Sequence, residues 1–108
     1  MDFNCYHQTA QETANTELPT AIRRMVAAIS LCEESGEVAG LIKKHIGHGH
    51  DLDSVKLTDE LGDVLWYIQE IAHLSGIPLD RIARRNLEKL KARYPDGFDS
   101  ERSINRKG

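Results

Sequence analysis

The sequence predicts an all-α fold, and three observations support this. Apolar residues recur at helical intervals in four segments, which are separated by short stretches rich in Gly, Pro, Asn and Asp. No stretch shows β alternation of useful length, and no internal repeat is present. With 108 residues, 40% of them hydrophobic and 29% charged, the chain is expected to form one compact domain over residues 1–108.

The first half of the chain contains two predicted helices. The first spans residues 2–14, with Asp2 as a plausible N-cap, and a break at residues 15–19 follows it. The second and longest spans residues 20–46, where the apolar positions recur with the helical period. Cys32 lies on this apolar stripe and is predicted to be a core residue.

The second half contains two more predicted helices and a tail. Residues 47–51 have the composition of a turn, and Asp53 or Ser54 can cap a third helix over residues 55–74. A fourth helix begins near Pro78 or Leu79 and ends before the Tyr94-Pro95-Asp96-Gly97 segment. A polar C-terminal tail is expected from about residue 98.

Charge is distributed unevenly along the chain. The net charge is −3, but residues 1–80 contain 13 acidic residues against 5 Lys and Arg, and residues 81–108 contain 4 against 9. A protein that binds polymeric nucleic acid would need a larger positive excess with interleaved aromatic residues. A small anionic ligand, held between an acidic cation site and the basic segment, fits the charge pattern better.

The sequence also carries expectations about cellular context. No apolar run approaches the roughly 18 residues of a membrane span, and the N-terminus lacks the basic start and apolar core of a secretory signal. Cys5 and Cys32 are isolated and are expected to be free thiols in a reducing compartment. The expected location is cytoplasmic, with no membrane partner.

Two acidic clusters interrupt apolar helical stretches. The first is Glu33-Glu34-x-x-Glu37, and the second is Glu60-x-x-Asp63. Residues three apart lie on the same helical face, so each cluster can direct two carboxylates at one point. For either cluster alone, a solvated acidic face is the better explanation. Two such clusters in apolar surroundings favour a site for Mg²⁺ or Mn²⁺, which prefer oxygen ligands.

Two interpretations are possible for a pair of histidines and for a pair of aromatic residues. His48 and His50 form a His-x-His pair, but no third ligand lies nearby, so a flexible loop with solvated histidines is favoured. Trp66 and Tyr67 follow Asp63 by three and four residues, and at least one should point near the acidic face. Stacking on a nucleobase and packing in a bundle interior both remain open.

The acidic motifs resemble the signature of a known superfamily. Glu33-Glu34-x-x-Glu37 followed by Glu60-Leu61-Gly62-Asp63-Val64-Leu65-Trp66-Tyr67 is similar to the motifs of the all-α nucleoside triphosphate pyrophosphohydrolases, and the closest likeness is to single-domain MazG-like proteins. Segments 49–53, 86–90 and 93–98 support the resemblance, which covers residues 28–106.

The resemblance implies a reaction, a cofactor and an assembly. The reaction is hydrolysis of (deoxy)nucleoside triphosphates to the monophosphate and pyrophosphate with Mg²⁺, or Mn²⁺ as a substitute, in cleaning or balancing the nucleotide pool. It also implies a homodimer or homotetramer in which a second chain completes the four-helix, MazG-like bundle. The implied metal ligands are Glu34, Glu37, Glu60 and Asp63, while Glu33 either binds metal or supports its neighbours.

Further residues are assigned to catalysis and substrate binding. Two metal ions would neutralise the phosphates and activate water, and Glu34 or Glu37 would accept the proton of that water. The catalytic candidates are therefore Glu33, Glu34 and Glu37. The substrate-binding candidates are Lys44, Trp66, Tyr67, Asn86, Lys89 and Arg93; the last three share one face of the fourth helix, where salt bridging is the alternative.

Two other functional classes compete with this reading. One is a catalytically silent helical module that binds nucleotide or metal, or only dimerises. The retained acids at all four matched ligand positions disfavour it. The other is a di-iron carboxylate bundle, but such sites use Glu-x-x-His pairs, whereas Asp63 occupies the corresponding position after Glu60.

Overall fold

A computed structural model describes residues 1–105, and it confirms the predicted all-α fold. Within these residues there are helices and turns but no strand, apart from one isolated bridge between Pro95 and Gly97. The helices, in chain order, are α1 (Phe3–Gln11), α2 (Thr20–Gly47), α3 (Ser54–Leu74), α4 (Leu79–Arg93) and the short α5 (Ser100–Ile104).

Helix α1 begins as predicted and ends earlier. The Asp2 carboxylate accepts a hydrogen bond of 2.8 Å from the backbone N–H of Cys5, which makes it the N-cap. Residues 12–14 continue as a turn in which each N–H bonds to the carbonyl three residues back. This tighter pattern closes a helix end instead of extending it, so α1 stops at Gln11 rather than at residue 14.

Helices α2 and α3 form an antiparallel hairpin that positions the acidic residues. Asp53 caps α3, because its carboxylate accepts a hydrogen bond of 3.0 Å from the N–H of Lys56. The connecting loop folds back on α2, since the N–H groups of His48 and His50 both bond to the carbonyl of Lys44. The start of α2 therefore lies beside the end of α3.

Helix α4 packs against α1 and α3 at the far end of this hairpin. Gly76, with φ of 69°, makes the turn that separates α3 from α4, and Leu79 at the start of α4 is buried. The predicted polar tail includes α5. Its last residues, 106–108, and the end of the resemblance at Arg106 lie outside the described residues.

The interior of a single chain is small. The buried apolar residues are Ala10, Ala27, Ala72 and Leu79. On α2, the side facing away from α3 carries Met25 and Ile29, which are 54% and 56% exposed. Cys32 is also exposed, so its predicted core position is wrong for the single chain. The apolar stripe of α2 is wider than the surface that α3 covers.

Two further observations concern the whole described region. Cys5 and Cys32 are both free thiols exposed to solvent. Across residues 1–105, no helix combines the length and apolar character needed to cross a lipid bilayer.

Candidate active site

Three carboxylates from the two long helices converge at one place. Glu34 comes from α2, and Glu60 and Asp63 come from successive turns of α3. One carboxylate oxygen from each lies within 4.8 Å of the others. Because α2 and α3 run antiparallel, Glu34 of the first acidic motif meets both acids of the second. We call these three residues the carboxylate cluster.

The electrostatics of the carboxylate cluster are those of crowded like charges. A hydrogen bond shared with Glu60 raises the pKa of the Glu34 carboxyl above its ordinary value. Burial raises the pKa further, and so do the charges of Asp63, Glu60 and Glu37. A proton at Glu34 therefore relieves repulsion within the cluster, and a divalent cation would relieve it more completely.

The donor set fits Mg²⁺ or Mn²⁺. All three side chains offer oxygen, which these hard cations prefer, and no cysteine or histidine belongs to the cluster. No other group of three or more potential metal-binding side chains comes together between residues 1 and 105. His48 and His50 are exposed and do not form such a group within that range.

The other two acids of the first motif are less directly involved. Glu37 is exposed and lies outside the carboxylate cluster, although its charge acts on Glu34. Glu33 is exposed and points about 100° round the helix from Glu34. Metal ligation by Glu37 and a catalytic or supporting role for Glu33 stay predictions.

Two aromatic residues follow Asp63 on α3 by three and four residues. Trp66 and Tyr67 are both half-buried, and their rings meet edge to face with centroids 5.1 Å apart and an interplanar angle of 79°. The indole Nε1–H of Trp66 donates a hydrogen bond of 2.9 Å to the hydroxyl of Thr13. The turn after α1 thus contacts α3 about one helical turn from Asp63.

The pKa of Tyr6 also indicates that α1 lies near Asp63 on α3. Burial raises the pKa of its phenol above the ordinary value, and the negative charge of Asp63 raises it further. The sequence analysis did not select Tyr6. Its place on the apolar stripe of the first helix indicated packing and gave no sign of its nearness to an acid on α3.

Three of the predicted phosphate-binding residues line cavities whose lining includes none of the carboxylate cluster. Lys44 lines a cavity of about 330 Å³ with Gly40, Lys43 and the two loop histidines. Asn86 and Lys89 line another, of about 410 Å³, on α4 with Arg81 and Arg85. Arg93 lies in the last turn of α4. Their contact with substrate stays a prediction.

A buried polar network, which the sequence analysis missed, joins α1, α2 and α3. The guanidinium of Arg23 and the carboxylate of Glu70 form an ion pair of 3.0 Å, with side chains 11% and 6% exposed. The amide of Gln11 donates hydrogen bonds of 2.9 Å both to Glu70 and to the side-chain oxygen of Gln69. The sequence did contain a signal for this network, because Glu70 is an ionisable residue directly before the apolar residues Ile71 and Ala72.

Comparisons with known proteins agree with this geometry. Residues 26–98 match the family model described as the MazG nucleotide pyrophosphohydrolase domain. The chain belongs to the MazG family. The matched region contains both acidic motifs, α2 from residue 26 onward and the whole of α3.

Comparison with a relative and with solved structures is less informative than the family match. The MazG-family chain is 36% identical over 76 residues to a protein of Mycobacterium phage L5 described as "Gene 37 protein". The aligned region spans 64% of this chain and 64% of that relative's length. No solved structure matches the chain.

Proposed function

We propose that the protein hydrolyses (deoxy)nucleoside triphosphates to the monophosphate and pyrophosphate in a metal-dependent reaction that cleans the nucleotide pool. The observation that carries this proposal is the convergence of Glu34, Glu60 and Asp63 within 4.8 Å. Membership of the MazG family supports the nucleotide substrate. The α–β phosphate bond is the bond that breaks.

The carboxylates divide into two tasks. Glu34, Glu60 and Asp63 hold the divalent cation, and Glu37 extends this set from the next turn of α2. The bound cation supplies neutralisation of phosphate charge and a lower pKa for its water. Glu34 or Glu37 takes the proton from the water that attacks the α-phosphorus. The water oxygen stays on the monophosphate, and the bridging oxygen leaves with the pyrophosphate.

The substrate-binding side chains surround this centre. Trp66 and Tyr67 contact the nucleoside, and Lys44 contacts phosphate oxygens. Asn86, Lys89 and Arg93 on α4 supply further donors for phosphate. Because the cavity that Asn86 and Lys89 line on α4 includes none of the carboxylate cluster, we assign these three residues to the site of an adjoining copy.

The protein is proposed to assemble as a homodimer or homotetramer. The exposed apolar side chains of α2 support this, because Met25 and Ile29 are more than half exposed in one chain. Sedimentation of the wild type and of Ile29→Glu tests the assembly. The wild type is expected as a dimer or tetramer, and the variant is expected to shift towards the monomer. A monomeric wild type would contradict the assembly.

Pyrophosphate release from a panel of nucleoside and deoxynucleoside triphosphates tests the reaction. The assay compares Mg²⁺ with EDTA, and wild type with Glu37→Gln and Asp63→Asn. Asp59→Asn is the matched control, because Asp59 is an exposed acid on α3 outside the carboxylate cluster. Mg²⁺-dependent release that both variants abolish, and the control retains, supports the proposal.

The position of water attack is tested by hydrolysis in ¹⁸O-water. Label in the monophosphate supports attack at the α-phosphorus, and label in the pyrophosphate contradicts it. Release of orthophosphate, or no release from any nucleotide, leaves the silent nucleotide- or metal-binding module as the function. Activity that is unchanged in EDTA excludes the metal-dependent reaction.

A further inference from the structure

The indole of Trp66 is held by a short chain of hydrogen bonds. Its Nε1–H donates to the Thr13 hydroxyl at 2.9 Å, and that hydroxyl donates to the carbonyl of Ala10 at 2.7 Å. The indole N–H is the one hydrogen-bonding group that a tryptophan side chain offers. Since Thr13 already accepts it, Trp66 has only its ring surface left for contact with a ligand.

The ring is also fixed from a second side. The edge-to-face contact with Tyr67, at 5.1 Å between centroids, restricts rotation of the indole. Trp66 follows Asp63 by three residues, so both side chains lie on the same face of α3. Trp66 is half-buried, and part of its surface is therefore open to solvent.

Thr13 is itself on a firmly attached segment. It lies two residues after Gln11, whose amide bonds to Gln69 and Glu70 on α3. The backbone N–H of Thr13 bonds to the Ala10 carbonyl at 3.0 Å, which fixes the turn that carries it. The hydroxyl is thus presented to the indole from a backbone that is tied to the same helix as Trp66.

We propose that Thr13 is a positioning residue that sets the orientation of Trp66, so that the indole binds nucleotide through its ring surface alone. This inference rests on the proposed function. Thr13 acts through Trp66 and does not touch the substrate, so its loss weakens binding of every nucleotide by the same factor. Stacking on an aromatic ring is tolerant of base identity, because every base has a π-face.

The test replaces Thr13 with Val, which keeps the shape and removes the hydroxyl, and with Ser, which keeps the hydroxyl. Thr16→Val is the matched control, because Thr16 lies in the same connection and is exposed like Thr13, but the Trp66 indole bonds to Thr13. Steady-state kinetics are measured for four nucleoside triphosphates with different bases. Thr13→Val is expected to raise KM about fivefold for each of them, the factor that corresponds to about one net hydrogen bond, with kcat little changed.

Fluorescence gives a readout that needs no catalysis. The chain has one tryptophan, so emission reports on Trp66 alone. Without nucleotide, Thr13→Val is expected to shift the emission, whereas Thr13→Ser and Thr16→Val keep the wild-type spectrum. If Thr13→Val fails to fold, Thr13→Ala removes the same hydroxyl with a smaller side chain and leaves the Trp66 ring unchanged. It is expected to give the same uniform rise in KM and the same shift in emission.

The outcomes separate this inference from the proposed function. Wild-type KM in Thr13→Val overturns the inference, as does a KM change for one base only, because the hydroxyl would then act on the base directly. An unshifted emission in Thr13→Val also overturns it. A wild type that releases no pyrophosphate overturns the proposed function, while the emission experiment still decides whether Thr13 holds Trp66.

Discussion

Two polar clusters lie on the same pair of helices and differ in how their charges are balanced. In the carboxylate cluster, three carboxylates lie within 4.8 Å of one another, and the hydrogen bond with Glu60, together with the neighbouring negative charges, raises the pKa of Glu34. In the buried network two to three turns away, Arg23 neutralises Glu70 and Gln11 adds hydrogen bonds. The network balances its charge within the chain, whereas in the proposed function a bound cation balances the charge of the carboxylate cluster.

This difference separates a structural role from a functional one. Charge that is buried and paired contributes to the packing of α1 on the hairpin. Removing one partner leaves the other charge buried without compensation, which destabilises the fold. Charge that is crowded and left unpaired destabilises the hairpin, and the proposed metal ion would offset that cost. Substitutions in the two clusters should therefore have opposite effects on activity and on stability.

The largest expected effect is the loss of activity on neutralising Asp63. Asp63→Asn should lower kcat/KM for nucleoside triphosphates about 1,000-fold, near the upper end for loss of one electrostatic group in an active site. In EDTA its thermal stability should equal or exceed that of the wild type, since one repelling charge is gone. A clear fall in stability would place Asp63 among the structural residues instead.

Breaking the buried pair should have the next largest effect, on stability. Arg23→Met leaves the Glu70 carboxylate buried without its cation, and urea unfolding should show a loss of about 3 kcal/mol. The control is Arg85→Met, because the exposed pair of Arg85 and Glu88, at 3.8 Å, should be worth less than about 1 kcal/mol. Equal losses in the two variants would contradict the structural role of the network.

Metal binding should stabilise the protein through the carboxylate cluster alone. At a Mg²⁺ concentration ten times its dissociation constant, the wild type should gain about 1.4 kcal/mol, measured as a rise in thermal midpoint. Asp63→Asn should lose most of this gain. Arg23→Met should gain the same amount from Mg²⁺ as the wild type, although its stability without Mg²⁺ is lower. Stabilisation by Mg²⁺ that survives in Asp63→Asn would place the cation elsewhere.

The smallest expected effect concerns a second attachment of α1 to α3. His7 Nε2 and His73 Nδ1 are 2.9 Å apart, so one ring donates and the other accepts. Burial lowers the pKa of His7 below its ordinary value, and the adjacent His73 lowers it further. The folded chain therefore takes up this proton less readily than the unfolded chain does.

The sign of the pH effect follows from linkage. The contribution of His7 to stability is fully present above its unfolded pKa of about 6.5, and it is lost as the pH falls through the lower folded pKa. Urea midpoints at pH 7.5, 6.5 and 5.5 should fall more steeply for the wild type than for His7→Gln. His48→Gln, in the exposed loop, should match the wild type. If the urea midpoints of the wild type and of His7→Gln fall equally with pH, His7 is not the cause of the pH dependence.

Much of the local structure was predictable from the sequence. Asp2 and Asp53 were identified as possible caps, and both accept the expected backbone hydrogen bonds. The three long helices were placed within a residue or two because their apolar periodicity persists over several turns. The end of α1 was missed by three residues, since the tightening of its last turn leaves no clear mark in composition.

The candidate site was predicted only in part. Glu60 and Asp63 were paired correctly, because a spacing of three on one helix is enough to place them on one face. The resemblance to the MazG-like proteins had implied that Glu34 joins them, whereas the helical spacing alone did not show which face of α2 meets α3. The wrong prediction for Cys32 has the same origin. The sequence showed that Cys32 lies on an apolar stripe of α2, but it did not show that this side of α2 stays uncovered in the single chain.

The sequence by itself determined the helices, their caps and the two acidic motifs, because these depend on interactions within a few residues. Only the tertiary structure decided which carboxylates meet, that Arg23 pairs with Glu70, and that Thr13 holds Trp66. Arg23 and Glu70 are 47 residues apart, and Thr13 and Trp66 are 53 apart. Contacts of this range depend on how whole helices rotate and pack against one another, and local periodicity leaves that choice open.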